Sequence, residues 1–249
     1  MAENKFPSEV VGIPSEGKVY PKDSPLRDGK VEIKYMTAKE EDILTSQNLI
    51  KKGIVIDTLL DSLILTEGVK SEDLILGDKN AIMVAARILA YGPEYSAEIT
   101  DPNTGEKNTF EFNLADCPFK KLPEKHDGDT FKIELPVSKK TIKYKLLTGK
   151  DEKLIESELT ARKKVGSNVT SELTTRLKHI IIEVDGSDDT TTINTFVDTM
   201  LSRDSLHLRQ EINKVAPDIV LKQDVEIGGE SVEVDIPLTV NFFWPDSTT

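Results

Sequence analysis

The sequence predicts an α+β fold of two similar modules from an internal duplication, each a strand pair, a small helical cluster and a β-hairpin. Three observations predict it. Apolar residues alternate with period 2 in some stretches and recur with period 3.6 in others, and the order strands, helices, hairpin runs twice along the 249 residues. Two short segments of the first half also realign with two of the second, in the same order.

The elements follow in chain order. Between Phe6 and Arg27, Pro7, Pro14, Pro21 and Pro25 exclude a helix interior, which predicts an extended amino-terminal arm over residues 1–28. The first module, 29–117, opens with "KVEIKYM" (Lys30 to Met36), whose Val31, Ile33 and Tyr35 share one face of a half-buried strand. Thr37 with Glu40 three residues on is a capping box, and Glu40, Glu41 and Asp42 suit the positive end of a helix whose Ile43, Leu44, Leu49 and Ile50 face inward. A second helix is predicted over 54–63. A third starts with Asp78 as N-cap and stops at Gly92 and Pro93. "EYSAEIT" and "TFEFNL" then alternate about "DPNTGE" as a hairpin.

A charged loop, 118–129, reads as a linker. The second module, 130–240, begins with strands at 130–135 and 140–146, then a helix capped by Thr148 and Asp151. Helices are predicted at 171–181, 192–201 and 203–215, and a last hairpin over 218–238 turns on Gly228 and Gly229 with Val232, Val234 and Ile236 inward. Residues 241–249 form an aromatic carboxyl-terminal tail.

The repeat can be stated in register. At an offset of 111 (148 − 37), Lys34/Lys145, Thr37/Thr148, Lys39/Lys150 and Glu41/Glu152 are identical and Glu40 meets Asp151. At an offset of 124 (229 − 105), Gly105-Glu106 meets Gly229-Glu230, and Arg87 and Arg209 precede their hairpins at a spacing of 122 (209 − 87).

Composition narrows the function. A net charge of −12 opposes the phosphate backbone and anionic membranes, so neither nucleic acid nor membrane is expected as a partner. The single Cys117 excludes an intramolecular disulfide and a cysteine-rich zinc site, and it points to a reducing compartment. The opening "MAENKFPSEVVGIP" has no basic and apolar leader pattern, so a protein made in a cytoplasm is expected.

No phosphate-cradle, nucleophile-elbow or zincin pattern is present, so no catalytic residue, metal or cofactor is expected, and the chain reads as non-enzymatic. His126, His179 and His207 are scattered. His207 could pair with Asp204 on a helix, but an exposed histidine is the plainer reading, and nothing in the spacing brings Cys117 to a base. The acidic triplet Glu40-Glu41-Asp42 is explained by its helix start, and the sequon at Asn168 has no meaning in a cytoplasmic protein. At the tail, Phe242, Phe243 and Trp244 stand together as either a plug on the chain's own core or a surface for a partner.

Several stretches together carry a resemblance: "IPSEGKVYP" (Ile13 to Pro21), "YMTAKEEDIL", "ARILAYG" (Ala86 to Gly92), "SRDSLHLRQEI" (Ser202 to Ile212) and "VNFFWP" (Val240 to Pro245). With them the chain resembles, over almost its whole length, the baseplate hub subunit and hub assembly catalyst family of T4-like contractile-tailed bacteriophages. No single motif is diagnostic. Relatives often carry cysteine pairs in the ribbon-like hairpins, where this chain has Cys117 alone, a departure that argues against metal.

The resemblance implies a protein made in the host cell cytoplasm and needed to build the central hub of the tail baseplate. Its partners would be baseplate hub or tail proteins of the same phage, with self-association left open. Such a protein either acts transiently or stays in the virion. Partner binding is expected at Pro14, Ser15, Gly17 and Tyr20 in the arm and at Phe242, Phe243 and Trp244 in the tail; the alternative roles are a turn and a core plug. A retained structural hub subunit, a tail assembly chaperone and, remotely, a small hydrolase are the competing functions.

Overall fold

In the computed structural model the described residues are 6–100, 105, 107–124, 126–164, 171–227, 230–237 and 240–243. Their class is α+β, with small antiparallel sheets and short helices around one continuous apolar core drawn from both halves.

Strand β1 (Ser8–Gly12) pairs with β2 (Lys30–Lys34), and Val31 and Ile33 are fully buried, as their alternation requires. The segment expected as an extended arm is therefore folded. Its prolines keep it out of an α-helix, Pro25 opening only a 3-10 turn over Pro25–Asp28, yet Ile13, Val19, Tyr20 and Leu26 are apolar enough to be drawn into the core, and the loop closes where the Ile13 amide donates to Gly29 at 3.1 Å.

Helices α1 (Ala38–Thr45) and α2 (Gln47–Lys51) replace the single helix expected after Thr37, with a break at the extended residue Ser46. The break turns Ile50 outward, so only Leu44 of the expected inward set is buried. Helix α3 (Val55–Leu63) buries Leu59, Leu60 and Leu63, and the next residue, Ile64, bridges to Ile33 of β2. Helix α4 (Leu76–Tyr91) begins before Asp78, so Asp78 is its third residue and not its N-cap. The Asp78 carboxylate is taken by the amino-terminal loop instead. The helix stops at Gly92, at φ +88°, as its sequence predicts. Strands β3 (Glu94–Thr100) and β4 (Lys107–Asn113) form the expected hairpin; the greater part of its turn, and the Gly228-Gly229 turn and the Asn168 sequon, lie outside the described residues.

In the predicted linker, β5 (Phe119–Lys120) is a short strand and Leu122 is buried. Strands β6 (Thr130–Glu134) and β7 (Thr141–Lys145) precede α5 (Gly149–Lys164) and α6 (Glu172–Ile180). An unexpected strand, β8 (Ile181–Val184), completes a sheet of order β6-β7-β8. Helices α7 (Thr190–Asp198) and α8 (Ser202–Val215) follow. Then β9 (Asp218–Ile219) pairs back with β5, and β10 (Lys222–Ile227) with β11 (Glu230–Asp235) makes the last hairpin.

The two halves share local chemistry as well as element order. Lys34 reaches Glu40 at 2.7 Å, and Lys145 reaches Asp151 at 2.7 Å. The amide and hydroxyl of Thr37 donate to Glu40, and those of Thr148 donate to Asp151. Asp78, third residue of α4, accepts from the loop after β1; Asp204, third residue of α8, accepts from the Val137 and Ser138 amides after β6 at 2.8 and 3.0 Å. These recurrences support the reading of a duplicated unit.

Candidate functional site at the two chain ends and the cleft between the halves

The amino-terminal loop is fixed by one buried carboxylate. Ser15 donates to Asp78 through its amide at 2.9 Å and its hydroxyl at 2.6 Å, and the Tyr20 hydroxyl donates at 2.6 Å. The same tyrosine oxygen accepts from the Ile75 amide at 3.0 Å. Burial pushes the Asp78 carboxyl up from its ordinary value, and the hydrogen bonds from Ser15 and Tyr20 oppose that shift. Burial, with the Asp78 charge beside it, pushes the Tyr20 phenol far upward, so it stays a donor. Gly17, at φ +76°, lies so close to the chain that a Cβ would sit 2.4 Å from the Arg27 carbonyl oxygen. Pro14, Ser15, Gly17 and Tyr20 are all buried in the chain's own structure.

The carboxyl-terminal end is fixed by one buried cation. Arg87 donates to the carbonyls of Phe242 at 2.7 Å, Gly92 at 2.9 Å and Glu94 at 3.1 Å. Burial lowers its pKa. Phe242 meets Tyr95 edge-on at 5.4 Å and Phe243 at 5.0 Å, and both phenylalanines are buried. Trp244 lies outside the described residues. Two groups that organise these ends carry other readings in the sequence: Asp78 reads as a helix cap and Arg87 as a repeat marker. Their partners lie 63 and 155 residues away, and only the motif of an uncompensated charge inside an apolar helix could have flagged them.

The remaining chemistry-bearing residues stand apart. His126 stacks on Phe131 with ring centroids 3.9 Å apart, and His179 contacts Glu158 at 3.2 Å. Cys117 is buried, burial raises its pKa, and its sulfur lies 3.7 Å from the Gln223 amide nitrogen. Among the described residues no group of three or more His, Cys, Asp or Glu is gathered as for a metal ion, and no helix is long and apolar enough to cross a membrane.

Between the halves lies a cleft of about 610 Å³, whose lining includes Asp23, Asp129, Lys145, Asp151, Leu154 and Ile182. No sequence signal announces it, because its walls come from segments far apart along the chain. No curated protein and no solved structure matches the chain. A family model described as T4 bacteriophage base plate protein matches residues 10–244, nearly the full length and through both buried ends and the cleft, and the chain therefore belongs to the T4 bacteriophage base plate protein family.

Proposed function

We propose that this baseplate protein acts in assembly of the central hub of the tail baseplate by binding hub subunits, without covalent chemistry. The family match over residues 10–244 carries the reading. An acidic surface suits association with other proteins and opposes nucleic acid, and the buried, protonated Cys117 is a poor nucleophile. The burial of Pro14, Ser15, Gly17, Tyr20, Phe242 and Phe243 gives the two ends an anchoring role, through which they shape the surfaces a partner meets. A second reading, a structural subunit retained in the baseplate, is favoured equally by the family description.

Quantitative mass spectrometry of purified virions beside the infected-cell lysate separates the two. A transient assembly factor is abundant in the lysate and missing from particles, whereas a structural subunit is retained at a fixed copy number. Normal particles from a strain lacking the chain would sink both readings and reopen the small-hydrolase alternative.

A further inference from the structure

The two halves carry the same lysine, threonine and acid arrangement, but not the same cover. In the first half the Lys34 ammonium lies 5.0 Å from the centroid of the Phe6 ring, and Ser62 on α3 donates to Glu40 at 2.7 Å. Glu40 is fully buried and the Lys34 side chain is 10% exposed. In the second half Thr130 stands opposite Lys145 as Ser8 stands opposite Lys34, so the place of Phe6, two residues before the strand, falls to Gly128. Among the described residues Asp151 accepts side-chain bonds from Lys145 and Thr148 alone, and the Lys145 side chain is 35% exposed. Lys145, Thr148 and Asp151 line the 610 Å³ cleft.

We propose that this cleft is a docking site for an aromatic side chain flanked by lysine or arginine on another baseplate protein, the ring taking over Lys145 the place that Phe6 takes over Lys34. The proposal rests on the binding role proposed above. Three features of the cleft select that occupant. An ammonium group facing an aromatic ring is attractive. Leu154, more than half exposed, and Ile182 offer apolar surface whose burial is favourable. At the rim Asp23 and Asp129 are exposed and make no ion pair among the described residues, so the charge that complements them is positive. The volume falls within the range of about 300–1,000 Å³ typical of sites for small groups. A second copy of this chain, at a net charge of −12, would be repelled.

The test titrates the isotope-labelled full chain with N-acetyl-Lys-Trp-Lys-amide, followed by amide chemical shifts. Saturable shifts are expected at Lys145, Leu154 and Ile182. Replacing the flanks by glutamate, or the tryptophan by leucine, is expected to weaken binding by roughly fivefold or more. Leu154→Arg fills the cleft from an exposed position, and Asp23→Lys with Asp129→Lys reverses the rim; each is expected to weaken binding about tenfold while the shifts elsewhere stay native. Shifts scattered outside the cleft, or equal affinity for all three peptides, overturn the site. Complementation of a phage lacking the chain tests the partner separately. Loss of tail assembly with Leu154→Arg supports a baseplate partner, while normal assembly with a variant that no longer binds the peptide overturns that partner and leaves the hub reading to its own mass-spectrometric test.

Discussion

Glu40 is held charged inside the core. Burial alone would raise its pKa, but Lys34, Thr37 and Ser62 donate to it and together bring it down from 4.5 to about 2. A depressed folded pKa contributes stability that is fully present above pH 4.5 and is lost as the pH falls toward about 2. Asp78 contributes with the opposite sign, because burial raises its pKa, so only a difference between variants isolates Glu40. Glu40→Gln is expected to lose about 3 kcal/mol near neutral pH, since it leaves Lys34 without its counter-charge. It should also flatten the acid limb between pH 4.5 and about 2. Asp151→Asn should lose less, because Lys145 keeps water. Urea unfolding at a series of pH values checks both, and equal losses would mean that the α3 cover contributes nothing. The threonine-to-acid spacing was legible in the sequence. The lysine's role was not, because it reaches the acid from the preceding strand.

At the scale of elements, local signals predicted local structure. Both hairpins and α3 follow their period, since each strand pairs with the next strand in the chain and α3 buries one apolar face. The strand β8 was lost to the apolar run after α6, because Ile180 to Val184 fits a buried helix end as well as a strand, and only pairing with β7 decides. The amino-terminal loop failed for the converse reason. Its prolines and glycines announce turns correctly, but turns do not say whether the chain leaves the body or lies on it. Here Asp78 and the close approach of Gly17 to residues 26 and 27 decide. Gly17→Ala is accordingly expected to destabilise by about 3 kcal/mol or more, combining positive-φ strain with a steric clash. Gly53→Ala, also at positive φ but with nothing within 4 Å of its Cβ, should lose only about 1 kcal/mol. Thermal unfolding of the pair separates clash from strain; similar losses would show that the loop yields to the added methyl group.

At the scale of the whole molecule, the prediction of two modules meets a single core. The halves keep their own caps and hairpins, yet Phe242 from the end of the chain lies against Tyr95 of the first half, and its carbonyl holds Arg87. Asn113 and Gln223 join the two hairpins, and the Tyr95 hydroxyl donates to the Pro237 carbonyl at 2.8 Å. The plug was legible as one of two readings of Phe242 and Phe243, but its partners were not, because contacts over 142 and 155 residues leave no periodic trace. The first half is thus completed by the last residues of the second. Phe242→Ala is expected to destabilise by about 3–5 kcal/mol through the cavity it leaves. Because the core is shared, the loss should appear as a downward shift of one cooperative transition in calorimetry, and the Tyr95 and Val225 regions should lose hydrogen-exchange protection together. Two separate transitions, with only the first-half one shifted, would mean that the modules fold independently and that the terminal clip is an ornament on one of them.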